Sequence, residues 1–229
     1  MDQVFVINPK GGCGKTTIAT QLAAYYANLG YRVLLADHDA QKSSSDWLRS
    51  RPASCASIDG IALRPEQACD VGDARVIVHD MPAAWTLKHV GQVLLPGDRL
   101  LIPVLASPTD IKACLRFIMA LDREGVMDLG VNIGLVGNRM KSNTRYFAVL
   151  SEFLTRLDLP FIGWLRDTQN YLRLMERGFS IFDLPPSRVR RDLEEWSPIL
   201  TWLDAHRAQS QLSGDDVEPL RSAGLSSVK

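Results

Sequence analysis

The strongest constraint on the fold is a glycine-rich segment that lies between an apolar run and a helical pattern. Residues 4–7 form the apolar run, residues 8–17 read Asn-Pro-Lys-Gly-Gly-Cys-Gly-Lys-Thr-Thr, and residues 15–29 have helical spacing. Glycines let a backbone wrap closely around phosphate oxygens, and the amides at a helix start point at a bound anion. This order of strand, loop and helix predicts a site for a nucleoside triphosphate.

The side chains of this loop have separate predicted roles. The Lys15 ammonium is expected to reach the β- and γ-phosphates, and the Thr16 hydroxyl is expected to ligate Mg²⁺. The predicted nucleotide-binding residues of the loop are Gly11, Gly12, Cys13, Gly14, Lys15, Thr16 and Thr17.

Short apolar runs recur along the chain, and most are followed by a longer stretch with helical spacing. The predicted strands are 4–7, 33–36, 76–78, 100–105, 131–136 and 161–164, and the predicted helices are 15–29, 43–49, 86–94, 110–124, 144–157 and 190–205. Strands that are apolar on both faces are typical of a parallel sheet covered by helices. The pattern predicts an α/β fold with a doubly wound, mostly parallel sheet, with one short strand in the connection 50–74.

Composition limits the classes of partner and compartment. The 26 basic and 26 acidic side chains balance, so any basic surface must be local. The four cysteines have neither paired spacing nor histidines at ligand spacing, which argues against a disulfide framework or a zinc site. No uncharged apolar run approaches the roughly 20 residues that span a bilayer. We predict a cytoplasmic protein with one domain over residues 1–207 and a flexible tail over 208–229.

The loop departs from the general phosphate-binding pattern in a way that points to one family. Pro9 replaces the first glycine, and Lys10 adds a lysine before the glycine pair. Lys-Gly-Gly-x-Gly-Lys-Thr is the deviant Walker A motif, and the chain resembles the ParA/MinD family of dimerising ATPases. The resemblance implies ATP and Mg²⁺ as cofactors and a homodimer in which Lys10 crosses to the partner's nucleotide. The alternative for Lys10 is an exposed loop lysine.

Two predicted strands end in carboxylates that match further motifs of that family. Residues 34–41 resemble its Asp-x-Asp-Pro-Gln segment, which implies that Asp39 positions or activates the attacking water and Asp37 supports the metal's water shell. Asp80 follows the next strand and matches the Walker B carboxylate, which would hold Mg²⁺ through water. The alternative for Asp37 and Asp39 is capping of the helix at 43–49. His79 falls on the opposite face from Asp80 and is predicted to be packed or hydrogen-bonded.

Two later segments extend the resemblance. Residues 102–110 resemble the Pro-x-x-Pro-Ser-Pro-x-Asp stretch of small ParA-type proteins such as ParF and McdA, which borders the dimer face. The alternative is a loop closed by Asp110 as a helix cap. The segment 137–139 resembles the family's Asn-Arg element, which implies that Asn138 and Arg139 bind the nucleotide, with Asn138 at the adenine edge.

A local excess of positive charge suggests a nucleic-acid surface. Residues 139–191 contain ten basic and five acidic side chains. Doubled in a dimer, this patch would suit DNA phosphates without reading sequence. The candidate DNA contacts are Arg166, Arg188, Arg190 and Arg191. The alternative is a solvated helix start with Arg–Glu pairs.

The resemblance implies a small ATPase that positions or partitions a cargo along the nucleoid. The cargo would be a plasmid, a chromosome region or a protein compartment such as the carboxysome, and a cargo-bound partner of the ParB, ParG or McdB kind would stimulate hydrolysis. The alternative is a MinD-like, membrane-associated regulator of the division site. Residues 213–229 are acidic and lack aromatic side chains, so we predict no membrane partner.

Overall fold

Seven parallel strands form one sheet, in the order β3-β2-β4-β1-β5-β6-β7. The computed structural model describes residues 1–63, 71–83, 93–140, 152 and 159–213. Its strands are Asp2–Val6 (β1), Val33–Asp37 (β2), Asp59–Ala62 (β3), Val76–Asp80 (β4), Arg99–Leu105 (β5), Asn132–Met140 (β6) and Phe161–Arg166 (β7). Because β1 lies between β4 and β5, the loop after β1 is at the middle of the carboxyl edge, where open α/β sheets bind ligands.

The helices cover both faces of this sheet. They are Lys15–Asn28 (α1), Ser43–Arg49 (α2), Pro108–Arg123 (α3), Gln169–Met175 (α4) and Pro186–Ser213 (α5), with 3₁₀ turns at Val126–Leu129 and Ile181–Asp183. One core cluster joins α1 and α5 to the sheet, and its largest fully buried side chain is Trp196. A second cluster packs α3 against the other face through Phe117 and Leu121. Burial on both faces explains why the strands are apolar throughout.

The predicted doubly wound fold is confirmed, and each predicted strand is present. The helix predicted at 43–49 has those bounds, and the short strand expected within 50–74 is β3. The helices predicted at 86–94 and 144–157 lie, apart from isolated positions, outside the described residues. Helix α5 begins at Pro186, before the predicted start at 190, because a first turn precedes a non-helical backbone at Val189. It runs to Ser213, and residues 214–229 of the predicted tail lie outside the described residues.

Within the described ranges of the chain, no helix combines the length and the apolar character that crossing a bilayer requires.

Candidate functional site

The glycine-rich loop joins β1 to α1 and is fixed by its own backbone. Gly12 and Gly14 have φ values of 77° and 94°, which is the left-handed region that favours glycine. Gly14 occupies the N-cap position of α1, so Lys15 is the first helical residue. The Lys15 ammonium is buried and donates to the Lys10 carbonyl at 3.1 Å. The predicted phosphate-binding lysine therefore lies over the loop that it is expected to serve.

Buried amides hold the loop from both sides. Asn8 donates from Nδ2 to the Pro103 carbonyl at 2.7 Å, and its Oδ1 accepts from the Lys10 amide at 2.8 Å. Asn138 donates from Nδ2 to the Cys13 carbonyl at 2.8 Å. Its Oδ1 accepts from the Arg139 amide at 2.9 Å. The structure thus gives Asn138 a loop-supporting position, whereas its contact with an adenine stays a prediction.

Asp80 is the electrostatically unusual carboxylate of the site. Only 1% of the residue is exposed, and burial raises its pKa to about 7 from an ordinary value of 3.8. The Thr16 and Ser44 hydroxyls and the Lys15 ammonium offset part of this effect, while the Asp37 carboxylate adds to it. Neither Asp80 oxygen has a hydrogen-bond partner of good geometry among the described residues, although the Thr16 and Ser44 hydroxyls lie nearby.

These contacts suit a hydrated magnesium ion. A buried carboxylate without a hydrogen-bond partner is costly unless a cation or an ordered water compensates it. Asp80 has a hydroxyl from Thr16 beside it, and the buried Ser44 hydroxyl also lacks a partner among the described residues. Oxygen groups of this kind, with several waters, are the environment that Mg²⁺ prefers. The residues present fit the predicted ion.

Asp37 makes the contacts of a helix cap, the alternative that the sequence left open. Its Oδ2 accepts from the amide and hydroxyl of Ser45 at 2.8 and 2.7 Å, and its Oδ1 accepts from the Asp39 amide at 3.1 Å. The formal N-cap of α2 is Lys42, whose ammonium only donates and therefore supplies no side-chain cap. Asp37 supplies that missing acceptor and still lies beside Asp80.

Asp39 lies in the turn that precedes α2. It is partly exposed, and its Oδ1 accepts from the Gln41 amide at 2.9 Å, which is a local turn contact rather than a helix cap. Its second oxygen accepts no hydrogen bond from the described residues and lies at the carboxyl edge of the sheet. The predicted role in orienting water therefore stays a prediction.

The additional lysine of the loop is held by its own chain. Lys10 Nζ lies 2.6 Å from Asp110 Oδ1, and 36% of the lysine side chain is exposed. Asp110 is not the N-cap of α3: Ser107 is, and its hydroxyl accepts from the Asp110 amide at 3.2 Å. The alternative of an Asp110 cap is therefore wrong by three residues, because Asp110 occupies the first turn and Ser107 the cap. The Asp110 carboxylate instead forms an ion pair with the Lys10 ammonium.

The four predicted DNA contacts differ in accessibility. Arg166 is 18% exposed, with Asp192 at 2.8 Å and Glu195 at 3.5 Å, so its guanidinium is paired within the chain. Arg190 pairs with Glu194 at 3.1 Å and Arg191 with Glu195 at 3.6 Å, each across one helical turn.

The exposure of the paired arginines bears on the alternative interpretation of this segment as a solvated helix start with Arg–Glu pairs. The Arg190 and Arg191 side chains are 85% and 67% exposed, and Arg188 is exposed at the start of the same helix. The Arg–Glu pairs that formed the alternative are present. The pair of Arg190 with the exposed Glu194 contributes little energy, so it leaves the Arg190 guanidinium available to a competing phosphate. The Arg191 side chain is also mostly exposed, although the side chain of its partner Glu195 is only 8% exposed.

Sequence reasoning missed several residues that shape the site. Asn8, Ser44 and Ser45 lie next to the recognised motifs but carry no motif signal of their own. Arg139 has a positive φ of 51° and its side chain pairs with Asp167 at 3.3 Å, so its predicted nucleotide contact also stays a prediction. The signal that the sequence did offer is a polar residue directly after an apolar strand, as at Asn8.

Comparisons with known proteins agree with this geometry. Residues 4–181 match the family model for the CobQ/CobB/MinD/ParA nucleotide-binding domain. A protein from Halothiobacillus neapolitanus named maintenance of carboxysome distribution protein A is 28% identical over 202 residues, which cover 85% of this chain and 93% of that protein. A protein of the same name from Gloeobacter kilaueensis is 32% identical over 183 residues, which cover 79% and 74%. The crystal structure of a plasmid partition protein from Borrelia burgdorferi bound to AMPPNP has a TM-score of 0.67 at 18% identity, and the match covers 87% of this chain and 98% of that one.

Proposed function

The chain belongs to the CobQ/CobB/MinD/ParA family of nucleotide-binding proteins, and from that premise we propose that it is a ParA-type switch that dimerises on ATP and positions a cargo on DNA. It is an ATPase whose cofactors are ATP and magnesium. In this proposal the ATP-bound dimer binds DNA without sequence preference, and a cargo-bound partner stimulates hydrolysis. The relatives that are named for carboxysome distribution support a protein compartment as the cargo.

The residues of the site divide the work of hydrolysis. Lys15 and the backbone amides of the loop bind the phosphates, and Thr16, Asp80 and Asp37 would hold the magnesium ion, the last two through water. When bound, the ion neutralises charge on the phosphates. Asp39 orients the attacking water. Because preorganised positive groups lower the energy of the charged transition state most in a site that excludes water, the buried position of Lys15 favours this chemistry.

One observation carries the proposal of a dimer: the side chain of a second lysine lies at the edge of the loop and contacts a residue outside it. Lys10 extends away from the loop to Asp110, where it is partly exposed. Because about a third of the Lys10 side chain is exposed, a triphosphate with four negative charges in a second subunit would compete with the buried Asp110 for this ammonium. ATP bound between two subunits would then join them.

DNA binding is proposed for the exposed arginines at the start of α5. Arg188, Arg190 and Arg191 lie on one short segment, and dimerisation would double the number of cations that face a duplex. Contacts to phosphate carry no sequence information and weaken as salt rises. The dependence on ATP then follows from the dimer and not from a change within the arginines.

A gel shift on random duplex DNA tests the proposal. Wild-type protein is expected to retard DNA with ATP and not with ADP, and the retardation is expected to fall steeply with salt. Lys10→Ala is expected to lose the ATP-dependent shift, whereas Arg123→Ala, which removes an exposed cation at the far end of α3, is expected to keep it. Arg190→Ala combined with Arg191→Ala is expected to weaken the shift about tenfold or more.

Two results would contradict the proposal. Equal retardation with ATP, with ADP and without nucleotide would show that ATP does not switch DNA binding. An unchanged shift for the double arginine variant would show that these arginines do not form the DNA-binding surface. Sedimentation with liposomes of anionic lipid in ATP, without DNA retardation, would favour the MinD-like alternative.

A further inference from the structure

Two buried histidines lie behind the nucleotide site, and the proposed chemistry uses neither. His38 lies between Asp37 and Asp39, and His79 immediately precedes Asp80. Only 8% of His38 and 5% of His79 is exposed. Asp37 pairs with Asp80 across β2 and β4, and side chains alternate along a strand, so the carboxylates lie on the face covered by α1 and the imidazoles on the other.

The two imidazoles form a hydrogen bond whose direction the neighbouring groups determine. Gln3 Nε2 lies 3.4 Å from both oxygens of the Asp98 carboxylate, which only accepts, so Gln3 Oε1 faces His79. His79 Nε2 lies 3.1 Å from that oxygen and must donate to it. Its Nδ1 is then an acceptor, and His38 Nε2 donates to it at 3.0 Å.

Packing keeps the His79 ring in this orientation. The ring stacks on Phe5 with centroids 4.0 Å apart and an interplanar angle of 2°. Burial, together with the neighbouring His38, lowers the pKa of His79 well below 6.5, so the ring is neutral and its Nδ1 can accept. Phe5 belongs to β1, the strand that leads into the phosphate-binding loop.

The hydrogen bond between the imidazoles therefore joins the segment after β2 to the end of β4. The main chain already pairs the two strands up to Asp37 and Asp80, and the His38 amide extends this pairing by donating to the Asp80 carbonyl at 3.0 Å. The imidazole pair adds a side-chain link on the face opposite the carboxylates. That link restrains the start of the Asp37–Asp39 loop beyond the last paired residues.

We propose that His38 and His79 are positioning residues that fix the Asp37–Asp39 loop relative to Asp80, so that the carboxylates hold magnesium in register with ATP. This inference rests on the proposed metal role of Asp37 and Asp80. Neither imidazole touches nucleotide or metal. Small displacements of liganding groups have large effects on binding and turnover, so a link behind the sheet controls the chemistry in front of it.

The test measures how strongly magnesium enhances the binding of mant-ATP, a fluorescent ATP analogue, by the full chain. His38→Leu and His79→Phe remove the hydrogen bond and keep an apolar core. Each is expected to raise the magnesium concentration for half-maximal binding by about fivefold to tenfold, the factor that corresponds to one buried hydrogen bond. Affinity for mant-ATP in EDTA is expected to change less than about twofold.

Conservative variants and a matched control separate positioning from packing. His38→Gln keeps a donor where Nε2 lies, and His79→Asn keeps an acceptor where Nδ1 lies, so both are expected to retain a magnesium requirement within about twofold of wild type. The variant with both His38→Leu and His79→Phe is expected to be no worse than either alone, because the pair acts as one unit. Phe5→Leu loosens the same region without breaking the bond and is expected to lower only the melting temperature.

Two results would overturn the inference: a magnesium requirement unchanged in His38→Leu and His79→Phe despite a lower melting temperature, or equal defects in His38→Leu and His38→Gln. Binding of mant-ATP does not require a dimer or DNA. The proposed switch can therefore fail in the gel shift while this test still decides the role of the histidine pair.

Discussion

Gly14 is the most constrained of the three glycines in the phosphate-binding loop. Its φ of 94° is left-handed, and a β-carbon there would overlap the side-chain amide of Asn138. Gly30 has a similar φ of 84° but open space around it. Comparing substitutions at Gly14 and Gly30 therefore distinguishes the effect of backbone strain from that of a steric clash.

Gly14→Ala is expected to abolish ATP binding, because it displaces the amide that holds the Cys13 carbonyl. Gly30→Ala is expected to bind ATP normally and to lose about 1 kcal/mol of stability from strain alone. Isothermal titration with ATP and magnesium, with urea unfolding alongside, measures both. ATP binding by Gly14→Ala with wild-type affinity would show that the Asn138 contact is dispensable.

The raised pKa of Asp80 predicts an unusual pH dependence for the stability of the nucleotide-free protein. Its pKa of about 7 exceeds the ordinary value of 3.8, so between these values the folded state holds a proton that the unfolded chain releases. Stability from this group therefore falls as pH rises from about 4 to 7. Asp80→Asn cannot ionise and is expected to gain on the order of 1–3 kcal/mol relative to wild type between pH 5 and pH 8.

Urea unfolding without nucleotide at the two pH values measures that gain, and Asp59→Asn, at an exposed position on β3, is the control. A difference between Asp80→Asn and wild type that is the same at pH 5 and pH 8 would contradict the prediction.

The predictability of the site differs between its residues. The motif around Lys15, Thr16 and Asp80 predicts their placement, because phosphate and magnesium require fixed groups in a fixed order after a strand. The partners of Asn138 and Lys10 could not be predicted, because Cys13 and Asp110 reach them only through the packing of strands that are distant in sequence.

At the scale of elements, one buried ion pair joins the segment after α2 to the 3₁₀ turn Ile181–Asp183. Arg51 makes a two-point contact with Asp183, with both bonds at 2.8 Å and side chains 4% and 2% exposed. Burial alone would raise the pKa of Asp183, but hydrogen bonds from Arg51, Asn28 and the Ser180 amide lower it overall. This pair holds α2, and thus Ser44 and Ser45, in place.

Arg51→Ala is expected to cost on the order of 3–5 kcal/mol at pH 7, because it leaves a buried carboxylate without its partner. Arg49→Ala is the matched control two residues away: its pair with Asp46 is exposed, and the expected loss is below about 1 kcal/mol. Because the pKa of Asp183 is lowered on folding, its contribution is present above about pH 4 and lost as pH falls further. The deficit of Arg51→Ala should therefore shrink at pH 3.

Urea unfolding at pH 7 and pH 3 checks both statements. Equal losses for Arg49→Ala and Arg51→Ala at pH 7 would show that burial does not strengthen the inner pair.

The elements differ in how far the sequence predicts them. Helix α2 was predicted with its bounds, Ser43–Arg49. Helix α4, which has the same length of seven residues, was not predicted. Its position depends on tertiary contacts, among them the 2.9 Å bond between the Trp196 indole and the Tyr171 hydroxyl.

At the scale of the whole molecule, the order of strands places every recognised motif at one edge. The loops after β1, β2 and β4 meet at the centre of the sheet, and the loop after β5 brings Asp110 to Lys10. A parallel sheet with buried faces was predictable from apolar runs alone. The pairing of β1 between β4 and β5 was not, because it depends on crossovers whose course the local pattern does not specify.

The proposed dimer, in which ATP joins two copies of this chain through Lys10, is tested by its mass in solution. Light scattering after gel filtration, in magnesium with ATP or ADP, measures the mass directly. Asp39→Ala removes the carboxylate proposed to orient the attacking water, so it is expected to slow hydrolysis and keep the triphosphate intact. We expect twice the subunit mass for Asp39→Ala with ATP and the subunit mass with ADP. The variant with both Lys10→Ala and Asp39→Ala is expected to keep the subunit mass with ATP. A single subunit that binds ATP and magnesium without pairing would rule out the proposed dimer.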